Sequence, residues 1–153
     1  MKISPLHSSI SLGLTNFFKQ EAVQYHIEMV FLYGSRASGQ SRSDSDIDLA
    51  ILFSEGIDNQ DKIFFLLTEI TYKLTRELKK EVNIISISCD FNHPMLYYNA
   101  IVSGIPVFIK DYDNLLNFKL EAIHQMEDFQ IYGVIWQKEI AKKLMREVTG
   151  ARI

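Results

Sequence analysis

Two hydrophobic periods alternate along this chain, and each change of period marks an element. Leu14, Phe17, Phe18 and Ala22 recur at helical spacing, which predicts a short amphipathic first helix. Residues 27–33, IEMVFLY, are apolar and rich in strand formers, and they stop at Gly34-Ser35. They predict a buried strand feeding a turn. The stretch RASGQSRSDS is small, polar and without apolar periodicity, and it leads into DIDLAILF, a second core strand. Ile63, Leu67, Ile70, Leu74 and Leu78 then advance by four, three, four and four residues, one apolar stripe on a helix within 58–80.

EVNIISIS returns to β-branched strand composition, HPMLYYNAIV reads as a helix with Pro94 near its first turn, and IPVFI after Gly104 reads as a short last strand. Beyond a turn at Asp111 to Asp113, apolar residues from Leu116 to Leu144 predict one long helix or two consecutive ones over about 113–148, with Gly133 as the weak point. This region is more apolar than one edge of a small sheet needs, so it either faces a partner protein or packs into the core. The expected fold is α/β, a small mixed β-sheet flanked by helices. No repeat or linker divides residues 1–153, which predicts a single domain with a C-terminal helical segment.

Composition narrows the function classes. The chain has 153 residues, 47% of them hydrophobic and 23% charged, enough for one core. A formal charge of -3 provides no global positive field, so direct binding of duplex nucleic acid is not expected. One cysteine, Cys89, excludes an intramolecular disulfide and reads as a small buried residue rather than a nucleophile. His7, His26, His93 and His124 lack zinc-type spacing. The apolar runs are too short to span a bilayer, and the first residues lack the apolar core of a signal peptide. No membrane association and a cytoplasmic location are expected.

The chemistry concentrates between the first two strands. Side chains alternate faces along a strand, so Asp46 and Asp48 point the same way. Two converging carboxylates repel unless a cation offsets them, and hard oxygen ligands suit Mg2+ shared with triphosphate oxygens. Gly34 and Ser35 form a turn whose small residues let phosphate approach backbone N–H groups, and Arg36 and Arg42 are candidates to offset charge as pyrophosphate leaves. Taken singly, the Gly-Ser pair is an ordinary turn, and Asp44, Asp46 and Asp48 read equally as a solvated acidic loop or a helix cap. Joined as strand, Gly-Ser, ten residues, Asp-x-Asp and strand, they favour a Mg-nucleotide site.

GSRASGQSRSDSDIDLAI resembles the GSx10DxD signature of the DNA polymerase beta type nucleotidyltransferase superfamily. The length, the element order and the segment IPVFIKDYDNLLNFKLEAIHQMEDF resemble its smallest members, the MNT antitoxins paired with HEPN ribonuclease toxins. That resemblance implies a polymerase-beta-like fold, a two-metal Mg2+ site with ATP as substrate, and transfer of AMP to a tyrosine of a cognate HEPN toxin within a hetero-oligomer. It also implies a third carboxylate on the strand after the long helix, in a motif resembling VDLV, where this chain has Val82, Asn83, Ile84 and Ile85. Asn83 thus stands at the third catalytic position, and an amide neither carries the charge nor accepts a proton as a carboxylate does. Two other readings therefore stay open: an antitoxin that neutralises by complex formation alone, and a nucleotidyltransferase acting on a small molecule.

Overall fold

The computed structural model describes residues 5–42 and 44–150, with the side chains of residues 5–8 left aside; the His7 side chain therefore lies outside the described residues. The elements are α1 (Pro5–Glu21), β1 (Ile27–Tyr33), α2 (Ser35–Ser38), β2 (Ile47–Phe53), α3 (Gln60–Leu78), β3 (Val82–Ile87), α4 (Pro94–Ile101), β4 (Ile105–Ile109) and α5 (Tyr112–Val148). The strands form one mixed sheet in the order β3-β2-β1-β4. β1 is antiparallel to both β2 and β4, whereas β2 and β3 run parallel. The α/β architecture is the one the sequence predicts.

Strand alternation splits the core into two layers. Val30, Leu32, Leu49, Ile51 and Val82 face one side, where they pack with Leu14 and Phe18 of α1 and Ile70 and Leu74 of α3. Met29, Phe31, Ala50 and Ile87 face the other, where Tyr97 and Ile101 of α4 and Phe118 of α5 cover them. Strands with both faces buried need near-continuous apolar runs, which IEMVFLY and IDLAILF supply. Helix α3 begins at Asn59, whose side chain accepts from the N–H groups of Asp61 at 2.9 Å and Lys62 at 3.4 Å, and it ends at Lys79 in the left-handed conformation.

Two expectations are refined. The C-terminal region is one continuous helix, and Gly133 does not interrupt it. Of the α3 stripe, Ile70 and Leu74 are buried together with Leu66, while Ile63, Leu67 and Leu78 lie half-buried at its margins. Gly104 is required where α4 turns into β4, because a Cβ there would collide with the carbonyl oxygens of Ala100 and Leu32.

At the sheet end opposite Gly34, the start of β1 is irregular between Ile27 and Met29, and Glu28 ties three strands together. Its Oε1 accepts from Ser54 Oγ at 2.8 Å and Lys110 Nζ at 3.1 Å. The Ser54 hydrogen bond holds the Glu28 carboxyl below its ordinary range, opposed by burial and aided by Lys110. A depressed carboxylate stabilises the fold above its unfolded pKa of about 4.3, and that contribution disappears as pH falls through the lower folded value. Glu28→Gln should therefore flatten the acid limb of the stability profile in that window and leave the slope near neutral pH unchanged, as read by urea denaturation across pH.

Candidate functional site

The sheet end at which β1 finishes and β2 and β3 begin carries the candidate site. The parallel register pairs Asp48 with Asn83 and the antiparallel register pairs Asp48 with Tyr33. Asp48 and Asn83 lie on the α4/α5 side of the sheet, in line with Ala50 and with Ile85 and Ile87 respectively. Asn83 Nδ2 lies 3.4 Å from Asp46 Oδ2 and 3.4 Å from Asp48 Oδ1. One amide nitrogen touching both carboxylates fixes their convergence. Asp46 and Asn83 are exposed and Asp48 is half-buried, so the cluster opens to solvent.

Gly34 leaves β1 at φ 75° and ψ -152° and precedes the short helix α2. That conformation belongs almost only to glycine. A Cβ on Gly34 would also stand 2.5 Å from Asp48 Oδ2, so the backbone can lie against the carboxylate only without a side chain. Ser35 follows as the first residue of α2, and the Gly34 carbonyl accepts from the N–H groups of Ala37 at 3.2 Å and Ser38 at 3.1 Å. The Gly-Ser turn and Asp48 are thereby held side by side.

The two arginines take different positions. Arg36 is buried at 6% exposure. Its Nε donates to the carbonyls of Ser45 at 3.1 Å and Asp46 at 3.2 Å, and its Nη2 donates to Ser45 as well. The guanidinium is thus committed to the loop that delivers Asp46, a planar fork holding two successive carbonyls. Arg42 is exposed on that loop, where its backbone N–H donates to Ser45 Oγ at 2.7 Å.

The pattern of the sequence did not single out Tyr33, whose only signal is its place before Gly34. It is half-buried, and burial raises its hydroxyl above the ordinary tyrosine range, with the Asp48 charge adding to the shift. Of the aromatic pair at 97–98, Tyr97 is buried, and its hydroxyl donates to Asn92 Oδ1 at 2.9 Å. It builds the α4 layer. Trp136 stands exposed on the outer part of α5. His93 precedes α4, with Pro94 in the first turn as expected. Cys89 corrects an expectation, because it is exposed where the chain leaves β3 rather than buried. Partial burial, then Glu55 and Asp90, pushes its thiol up, which disfavours the reactive thiolate.

Among the described residues, no group of three His, Cys, Asp or Glu side chains is placed to hold a metal alone. Glu81, the residue before β3, is thus not placed to form such a group with Asp46 and Asp48. The donor set instead fits an ion that brings other ligands with it. Mg2+ characteristically takes one or two carboxylates and fills its shell with water and substrate phosphate. Two carboxylates sharing one amide donor meet that requirement.

The sequence matches the family model for polymerase beta nucleotidyltransferases over residues 14–113. The chain belongs to the polymerase beta nucleotidyltransferase family. A search of curated proteins finds no match. Among solved structures, a toxin-antitoxin complex with AMP-PNP superposes at a TM-score of 0.59 and 20% identity, covering 85% of this chain and 98% of that one. The MntA-HepT toxin-antitoxin gives 0.60 and 18%, covering 88% and 97%. A Shewanella oneidensis complex of tri-AMPylated HEPN toxin with MNT antitoxin gives 0.58 and 18%, covering 88% and 98%. At these identities the likeness establishes a shared fold. Among the described residues no helix is long and apolar enough to cross a membrane.

Gly34→Ala should displace Asp48 and cost on the order of 1–3 kcal/mol of stability, measured by denaturant unfolding. Tyr33 offers a second readout. A cation held at Asp46 and Asp48 should lower the Tyr33 pKa, because it cancels the Asp48 charge that helps raise it. NMR titration of labelled tyrosine with and without Mg2+ tests this, and an unmoved Tyr33 would argue that no cation binds there.

Proposed function

We propose that this protein is an MNT-type antitoxin that transfers AMP from Mg-ATP to a tyrosine hydroxyl of a cognate HEPN ribonuclease toxin. The observation that carries this reading is the convergence of Asp46 and Asp48 on Asn83, with Gly34 backed against Asp48. The nucleotide and the partner are drawn from the neighbours of like fold, one bound to AMP-PNP and one joined to a tri-AMPylated HEPN toxin.

In this reading Asp46 and Asp48 would hold Mg2+, which would offset the triphosphate charge when bound. Gly34 and Ser35 receive the phosphates, and Arg42, exposed on the loop, is free to approach them. Arg36 acts one step removed, by fixing the carbonyls of Ser45 and Asp46. The tyrosine oxygen forms a bond to the α-phosphorus as the bond from that phosphorus to the β-phosphate oxygen breaks, and pyrophosphate leaves. The phenolic proton passes to Asp48 or to solvent, because Asn83 cannot accept it. A second metal ion would lack one carboxylate that the family supplies, so slow turnover is the expected cost of Asn83.

Asn83 also favours a second reading, in which the protein neutralises its toxin by complex formation and uses nucleotide weakly or not at all. Intact mass of the partner after incubation with protein, Mg2+ and ATP separates the two. Transfer should add AMP mass, Asp48→Asn should slow it by at least about a hundredfold, and Asn83→Asp should accelerate it. A partner that stays unmodified yet fully inhibited would overturn the transferase reading and leave the complex-forming one.

A further inference from the structure

Helix α5 leaves the body of the protein after its first three turns. Its buried residues, Leu115, Phe118 and Ala122, all lie at that end, and from residue 127 onward every described residue except Gly133 and Ile140 is exposed. The apolar stripe does not stop where the packing stops. It continues at spacings of three and four residues through Met126, Phe129, Gly133, Trp136 and Ile140. A lone helical arm is marginal in water, and this one presents Phe129 at 44% and Trp136 at 65% exposure. Such a seam needs a cover.

Gly133 sits in the middle of the seam, where a Cβ would meet nothing within 4 Å in this chain. Glycine inside a helix costs about 1 kcal/mol against alanine, and the chain's own packing gives no return for it. A gap on an otherwise apolar stripe admits a large side chain from a neighbouring helix. Trp136, three residues on, is such a side chain. In an antiparallel pair of identical helices, the layers that place Trp136 of one over Gly133 of the other also place Phe129 against Ile140.

Charge selects the same direction. Glu121 and Asp128 lie along one flank of the stripe, Arg146 continues that flank toward the C-terminus, and Lys143, seven residues beyond Trp136, stands at the edge between flank and stripe. The flank also carries Glu139, which pairs with Lys142 at 3.3 Å within its own helix. Parallel pairing would set this flank against the opposite flank of the partner helix, where Gln130, Gln137 and Ala141 offer it no charge to pair with. Antiparallel pairing sets the acidic half of each helix beside the basic half of the other.

We propose that the exposed seam of α5 is a self-association surface, closed by a second copy of this chain in an antiparallel helix pair with Trp136 of each copy over Gly133 of the other. This stands independently of whether Asp46 and Asp48 support turnover.

Sedimentation of the 153-residue chain from low micromolar to high micromolar concentration tests it, with the emission of Trp136, the single tryptophan, as an internal probe. A dimer is expected, with Trp136 emission shifting to the blue as it forms. Trp136→Ala and Gly133→Leu should each weaken association by roughly thirtyfold or more. Lys143→Glu with Arg146→Glu should also weaken it, and adding Glu121→Lys with Asp128→Lys should restore it. Asp128 and Lys143 lie about four turns apart on one helix, too far for rescue within a chain. A monomer at all concentrations, a dimer indifferent to these substitutions, or a seam that closes only on a helical toxin partner would overturn the proposal.

Discussion

Two like charges held a few ångströms apart set the terms for one whole end of this molecule. Asp46 and Asp48 each reach the same amide nitrogen of Asn83, and that proximity is imposed by backbone rather than chosen by flexible side chains. The parallel register of β2 and β3 brings Asn83 opposite Asp48, and the antiparallel register of β1 and β2 brings the Gly34 turn beside it. Arg36 draws in the loop carbonyls just ahead of β2, so Asp46 arrives from a fixed direction. Repulsion between the carboxylates is met by an amide donor here, and a cation can take over that task only where the scaffold already holds the ligands in place.

Most of the fold was legible because its strands and helices obey clean periods. IEMVFLY and IDLAILF are buried on both faces, and α3 shows its stripe plainly. What the period could not convey was the exact face: the sheet meets α3 between two rows, so Leu66 is buried while Ile63 and Leu67 sit at the edge. Gly34, Ser35, Asp46 and Asp48 were legible as a candidate site because their spacing straddles a strand-turn-strand unit. Tyr33 and the posture of Arg36 were not, since both depend on which backbone the loop folds against. Nothing in a string of residues says that a guanidinium will turn inward to two carbonyls.

Gly133 shows the opposite case, a residue whose local meaning misleads. Read by propensity alone it marks a break, yet α5 passes through it unbroken. The apolar positions on either side carry the helix, and one glycine subtracts only about 1 kcal/mol from it. Leu115, Phe118 and Ala122 anchor the first turns against α4 and the sheet, so the helix is nucleated on the body and extends outward from there.

That anchoring links the two ends of the chain physically. The same layer of α4 and α5 that buries Met29, Phe31 and Ala50 stands on the sheet face that carries Asp48 and Asn83 at its open end. Whatever covers the arm of α5 therefore acts on a helix whose base is packed against the scaffold of the site. At that base Phe118 lies in a close-packed layer with Phe91, their rings 5.3 Å apart. The α1 and α3 layer packs on the far face of the same sheet, so the two faces of the strands that carry the site are each covered by a separate helical layer.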